Sequence, residues 1–124
     1  MFSRIMYVTV FVSDQDKALD FYTTNFGFQK RADYTGREGR FLTIALENQG
    51  FEVLLWLGNA RQTETTSGVG TLFIESDDLR KDFAELKARG VEFVEPEPEA
   101  YPFGMRVTAL DPDRNPVALR QTRK

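Results

Sequence analysis

The chain has 124 residues, 41% of them apolar and 11 of them Phe, which is enough for one compact core, so a single domain spanning residues 1–124 is the expectation. Sixteen Lys and Arg stand against 19 Asp and Glu, a net charge of −3 with both signs scattered, which argues against a basic stripe for nucleic acid. Histidine and cysteine are both absent, so any metal site would have to be built from oxygen alone.

The N-terminus shows no charged leader followed by a cleavable apolar region, and no run approaches the roughly 18 apolar residues that span a bilayer. A cytoplasmic protein with no membrane partner is expected. The only locally basic stretch, Arg120–Lys124, reads as a solvated terminus.

Ile5–Val12 is dense in β-branched and aromatic residues and predicts a strand with two different faces. Val8, Val10 and Val12 lie on one side, and Tyr7, Thr9 and Phe11 on the other. Ser13 and Asp14 supply a helix N-cap, with Asp16 adding negative charge to the first turn. Ala18, Leu19, Phe21, Tyr22 and Phe26 follow at helical spacing as one buried stripe, and Gly27 ends the helix.

Strands are predicted at Phe28–Tyr34, Phe41–Leu46 and Phe51–Leu57, divided by turn signals at Gly36, Gly39 and Asn48–Gly50. The polar segment 58–68, bounded by glycines, reads as a linker between a first module at 4–57 and a second at 69–121. The second module predicts a strand at Val69–Glu75, a helix capped by Asp77 and Asp78 with Leu79, Phe83 and Leu86 inward, and a stop at Gly90. Strands at Val91–Val94, Met105–Leu110 and Pro116–Gln121 complete it.

The caps Asp14 and Asp78 lie 64 residues apart and the closing glycines Gly27 and Gly90 lie 63 apart. A strand-helix-strand-strand-strand unit therefore occurs twice. An ordinary α+β sheet with coincidental spacing is the plainer alternative.

Several local signatures carry a family likeness. In the first half they are the opening strand, Ser13-Asp14, the helix with Ala18 and Phe21-Tyr22, and Phe26-Gly27-Phe28. In the second they are Asp77-Asp78-Leu79, Leu86 to Val91, Tyr101 to Gly104 and Asp111 to Asn115. Together these resemble the glyoxalase / bleomycin-resistance / extradiol-dioxygenase family, also called vicinal oxygen chelate (VOC) proteins, over nearly the whole chain. The resemblance implies an α+β fold in which two paired βαβββ modules form a curved, cup-shaped mixed sheet with the helices outside. It also implies small-molecule binding in the cup, and in many members a divalent metal at its floor.

Carried over position by position, the metal ligands of the resembled family fall at Tyr7, at Leu54 or, with a one-residue shift of register, Leu55, at Thr71 and at Ala118. A phenol and a hydroxyl without any carboxylate offer no charge against the dehydration cost of a divalent cation, so no metal and no other cofactor is expected. Arg114 stands where the resemblance implies a turn glycine. A positive φ there would cost about 1 kcal/mol.

Alternation puts Val8, Val10, Val12, Val53, Leu55, Leu57, Leu72, Ile74, Val117 and Leu119 beneath the helices. The opposite faces carry Tyr7, Thr9, Phe11, Glu52, Leu54, Trp56, Thr71, Phe73, Glu75, Ala118 and Arg120. Apolar walls with a few polar groups suit a small-molecule pocket, although the aromatics would serve equally to fill a barrel-like interior. The Pro-rich, acidic segment Glu95–Gly104 is excluded as a central strand. By the resemblance it crosses the cup mouth with Tyr101 and Phe103 as lid residues, and a plain solvated loop is the alternative.

Arg106 completes the candidate ligand-binding set. Glu52 and Glu75 are candidates for acid–base work if one is buried beside Phe73, against which stands partial exposure or pairing with Arg106 or Arg120. Two readings of function stay open. One is a metal-free binding protein for a small aromatic or amphiphilic molecule. The other is an enzyme of the same fold, a lyase, isomerase or dioxygenase relative, with an atypical residue set. The free edges of two four-stranded modules lead to the expectation of a homodimer.

Overall fold

A computed structural model describes residues 1–47, 50–58 and 71–122. The segment 58–68 and the start of the strand expected at Val69–Glu75 lie almost wholly outside the described residues. The described chain forms two mixed sheets with two helices, an α+β architecture in two compact units, Met1–Gly70 and Thr71–Lys124.

In the first unit β1 (Tyr7–Val12) leads through α1 (Gln15–Phe26) to β2 (Gln29–Gly36), β3 (Gly39–Ala45) and β4 (Glu52–Leu57). The strand order is β1-β4-β3-β2, with β1 and β4 parallel and the other pairs antiparallel. The order of elements is the expected βαβββ.

Local chemistry fixes the helix. The Asp14 carboxylate accepts from the Lys17 N–H at 3.0 Å, satisfying one of the orphan donors of the first turn. At the other end Gly27 takes φ 74°, and its N–H and that of Phe28 both reach the Tyr22 carbonyl. The helix lays Ala18 and the fully buried Tyr22 on one face of the sheet, among Val10, Val12, Leu42, Ile44, Val53 and Leu55. Gln15 ties it down by donating to the Arg40 and Leu55 carbonyls, each at 2.9 Å.

Arg40 joins three elements. Its Nε and Nη2 donate to the two Asp33 oxygens at 2.8 and 2.9 Å, while Nη1 donates to Asp16 on α1 at 2.7 Å. The Arg40 guanidinium, helped by Lys30, lowers the Asp33 carboxyl from its ordinary 3.8 to about 2 against a smaller opposing effect of burial. A depressed folded-state value means stability that is present above about pH 4 and lost as the pH falls toward 2. Asp33→Asn is therefore expected to flatten the pH dependence of unfolding in that window, as followed by acid titration of far-UV circular dichroism. An unchanged slope would remove Asp33 from the acid response.

The second unit repeats the plan with one addition. After β5 (Leu72–Glu75) and α2 (Leu79–Ala88) come β6 (Glu92–Phe93), β7 (Glu99–Tyr101), β8 (Gly104–Leu110) and β9 (Pro116–Thr122). The order β5-β9-β8-β6 matches the first sheet strand for strand, and β7 pairs with β8 off this path. The Pro-rich segment thus holds a short strand that its composition did not suggest. It fits between Pro98 and Pro102, pairs only with β8, and respects the rule that proline keeps to sheet edges.

The internal repeat extends to register. In β1 and β4, Thr9 pairs with Leu54; in β5 and β9, Phe73 pairs with Ala118. Both members of the second pair lie 64 residues beyond those of the first. This places Leu54, not Leu55, at the position equivalent to Ala118. Leu55 lies on the helix face and is fully buried.

Helix α2 is capped by Asp78, whose carboxylate accepts from the Lys81 N–H at 3.2 Å, and by Gln121 of β9, which accepts from the Leu79 N–H at 2.7 Å. Leu79 and Leu86 are buried, and Phe83 packs on Phe93 at 4.6 Å between ring centroids. The helix ends at Ala88 with Arg89 as its C-cap, and Gly90 follows at φ 92°.

Two of the aliphatic residues expected beneath the helices are not covered. Leu57 is 59% exposed at the end of β4, and Val8 is exposed near the start of β1. Each sits at a strand end, where alternation still sets the face but helical cover has run out. Among the described residues no helix is long and apolar enough to cross a membrane.

Candidate functional site

Each sheet has a helix-covered face and one without a helix, the open face, on which Thr43, Leu54 and Ala118 are nevertheless buried. On the open face of the first sheet, the register puts Tyr7 opposite Glu52, Thr9 opposite Leu54 and Phe11 opposite Trp56. These are six of the residues singled out from sequence. Phe41 and Tyr34, which were not, complete the aromatic cluster: Tyr7 meets Phe41 edge-on at 5.8 Å, and Tyr34 stacks on Phe41 at 5.1 Å. Phe41 shares its face with Thr43, whose hydroxyl donates to Glu52 and accepts from the Ala32 N–H at 3.1 Å. The signal for Phe41 was present in the alternation of β3, where Leu42 and Ile44 are the aliphatic partners of the helix face.

The open face of the second sheet carries Phe73 and Glu75 from β5, Ala118 and Arg120 from β9, Arg106 from β8 and Tyr101 from β7. Thr71 precedes β5 and is half-buried. Tyr101 is the centre of this face. The Arg106 guanidinium lies 5.4 Å from its ring centroid, that of Arg120 lies 5.6 Å away, and Phe103 meets it edge-on at 5.8 Å. Arg120 also lies 5.1 Å from the Phe73 ring. Phe73 and Phe103 are 66% and 72% exposed, so two apolar rings flank the cations on an open surface.

This places five sequence candidates, Phe73, Tyr101, Phe103, Arg106 and Arg120, in one cluster. The strand β7 brings Tyr101 there as a register partner of Gly104, so this residue is a part of the sheet and not of a free loop.

The carboxylates stand differently from the arginine pairing considered above. Glu52 is half-buried with the Thr43 hydroxyl as donor, and Glu75 is exposed and accepts from the Thr122 hydroxyl at 3.0 Å. Neither is within ion-pair distance of an arginine among the described residues. Threonine wins because it is the neighbour on the same face: Thr43 lies opposite Leu54 beside Glu52, and Thr122 follows Arg120 by two on β9.

The four positions that the family resemblance marks for metal ligands do not fit a divalent cation. Leu54 and Ala118 carry no donor atom and are only 8% and 3% exposed, and Tyr7 and Thr71 supply neutral hydroxyls. Among the described residues, no three His, Cys, Asp or Glu side chains come together in a metal-holding group.

The chain belongs to the Glyoxalase/Bleomycin resistance protein/Dioxygenase superfamily, whose family model matches residues 4–119. It is 31% identical to TnmS3, an antibiotic binding protein from Streptomyces sp. CB03234, with a TM-score of 0.80 over 98% of both chains. It is 30% identical to UcmS2, again with a TM-score of 0.80, over 96% of this chain and 98% of that one. An uncharacterized protein of Bacillus subtilis (strain 168), YetH, is 29% identical over 98% of this chain and the whole of its own length.

Proposed function

We propose that the chain binds a small, planar organic molecule through the open face of its second sheet and does so without a metal. The observation that carries this is the cluster of Tyr101, two guanidiniums and the exposed rings of Phe73 and Phe103, built from residues of four separate strands and the β7–β8 turn. Rings flanked by cations favour flat ligands, because a π-face stacks on either an aromatic or a guanidinium plane. The likeness to TnmS3 supports binding in preference to turnover, as does the engagement of Glu52 and Glu75 by threonine hydroxyls.

The open face of the first sheet, with Tyr7, Thr9, Phe11, Glu52, Leu54 and Trp56, is the second surface offered to a ligand in this reading. Trp56, the sole tryptophan, would report contact there by its fluorescence. The protein is further proposed to act in the cytoplasm as a homodimer, the assembly being checked by light scattering.

The test uses 2-naphthamide, a neutral planar probe, titrated by its own fluorescence into protein purified without chelator. Saturable binding is expected, with an affinity that neither EDTA nor added zinc changes, and elemental analysis should find no stoichiometric transition metal. Absence of binding overturns the reading. So does binding that appears only with a metal present.

A further inference from the structure

We infer that the ligand of the second sheet's open face is an aromatic monoanion, its carboxylate-like group held by Arg120. This rests on the small-molecule reading above and adds the charge of the molecule and the residue that selects it.

Arg120 is half-buried, yet no carboxylate lies within 4 Å of it among the described residues. Among the described residues, the one hydrogen bond its guanidinium makes is from Nη1 to the carbonyl of its own neighbour Leu119, at 3.0 Å. A guanidinium has five N–H donors, so most of its capacity is left for a further acceptor. Phe73 and Tyr101 lie against it at 5.1 and 5.6 Å. They supply the apolar surroundings in which a charge-assisted bond gains strength.

Register adds a second reason. Arg106 and Arg120 are direct cross-strand partners on β8 and β9, and like charges placed opposite one another destabilise a sheet. Each arginine has a glutamate as its other cross-strand neighbour, Glu99 for Arg106 and Glu75 for Arg120, but neither carboxylate sits tightly on a guanidinium. Glu95 accepts from the Thr108 N–H at 2.7 Å and its hydroxyl at 3.3 Å, and Glu75 accepts from Thr122. Glu99 reaches Arg106 at only 3.8 Å, with both side chains about half exposed. An anion seated between the guanidiniums relieves the repulsion.

The surrounding Glu75, Glu95 and Glu99 limit the total charge the face accepts, which favours one negative group and disfavours a polyanion such as a nucleotide triphosphate or nucleic acid. The planar fork of arginine matches a carboxylate with two parallel bonds. The adjacent rings take the aromatic part of the same molecule.

The test compares 2-naphthoate with 2-naphthamide, which share shape and ring but differ in charge. Wild-type protein at low salt is expected to bind the naphthoate at least about 10-fold more tightly, the low end of what a hydrogen bond to a charged group supplies. Arg120→Gln should bring the two probes to the same affinity, with any stacking on the guanidinium plane lost equally from both, and Arg120→Lys should restore part of the preference. Added salt should weaken the naphthoate alone. Equal affinities in the wild type, or a preference that survives in Arg120→Gln, overturns the inference. If the amide binds and shows no charge preference, the small-molecule reading stands and this one falls. If neither probe binds, both fall.

Discussion

Replacing Asp111 with alanine is expected to lower stability by about 2–4 kcal/mol, because three hydrogen bonds disappear together from a buried site. Asp111 Oδ1 accepts from the backbone N–H groups of Asp113 and Asn115 at 2.9 and 2.8 Å, and Oδ2 accepts from the Asn115 amide at 2.9 Å. Both Asp111 and Asn115 are buried, so water does not replace the lost partner freely. The turn is already under strain, since Arg114 is the one non-glycine residue with positive φ, at 65°, among the described residues. The glycine implied by the family likeness is missing here, and the carboxylate holds the turn in spite of it.

Asp111→Asn is expected to cost less. Its carbonyl oxygen can still accept from the two N–H groups, and only the contact with the Asn115 amide becomes donor against donor. The measurement is chemical denaturation of both variants for the free energy and a thermal melt for the midpoint, with a fall in melting temperature on the order of 10 °C for the alanine form. A loss below about 1 kcal/mol would show that the turn is held by its backbone bonds alone. The consequence reaches the candidate site, because this hairpin sets β8 against β9 and so puts Arg106 opposite Arg120.

The fold was legible where local chemistry and long-range register agree. Asp14 and Asp78 announced their helices because a cap needs one side chain and three neighbours, all local. The 64-residue repeat was legible for a different reason. Two units with the same strand order pair their first and last strands alike, and Thr9 with Leu54 and Phe73 with Ala118 do so.

What sequence did not disclose depends on contacts it cannot encode locally. β7 exists because the β8 edge offers it hydrogen bonds, and its three residues between two prolines have no pattern of their own. For the same reason Tyr101 read as a lid residue. Its position beside Arg106 and Arg120 follows from a pairing with Gly104 that only the folded sheet supplies. The partners of Glu52 and Glu75 were missed because threonine hydroxyls carry no charge signal, and attention to arginine followed charge alone. Alternation assigned the faces of β1, β4, β5 and β9 but not the extent of helical cover, which is why Leu57 and Val8 are exposed.

Tyr101→Ala is expected to weaken binding of both 2-naphthamide and 2-naphthoate by about 10- to 100-fold, corresponding to the loss of a stacked aromatic surface and of the order it imposes on its neighbours. Both guanidiniums lie over this one ring, so its removal takes one support from each, leaving Arg120 on Phe73 and Arg106 beside Glu99, and enlarges the entropy that binding must remove. Tyr101→Phe separates the two properties of the side chain. The π-face is retained and only the hydroxyl is lost, so affinity within about two-fold of wild type is expected if stacking is what counts. Because β7 is a three-residue edge strand, its backbone bonds to β8 do not depend on the Tyr101 side chain, and both variants should unfold close to the wild type. Fluorescence titration of the probes checks the affinities, and thermal melts check the fold. An alanine variant that binds both probes as the wild type does would move the ligand site away from this face. A phenylalanine variant as weak as the alanine one would assign the role to the hydroxyl in place of the ring.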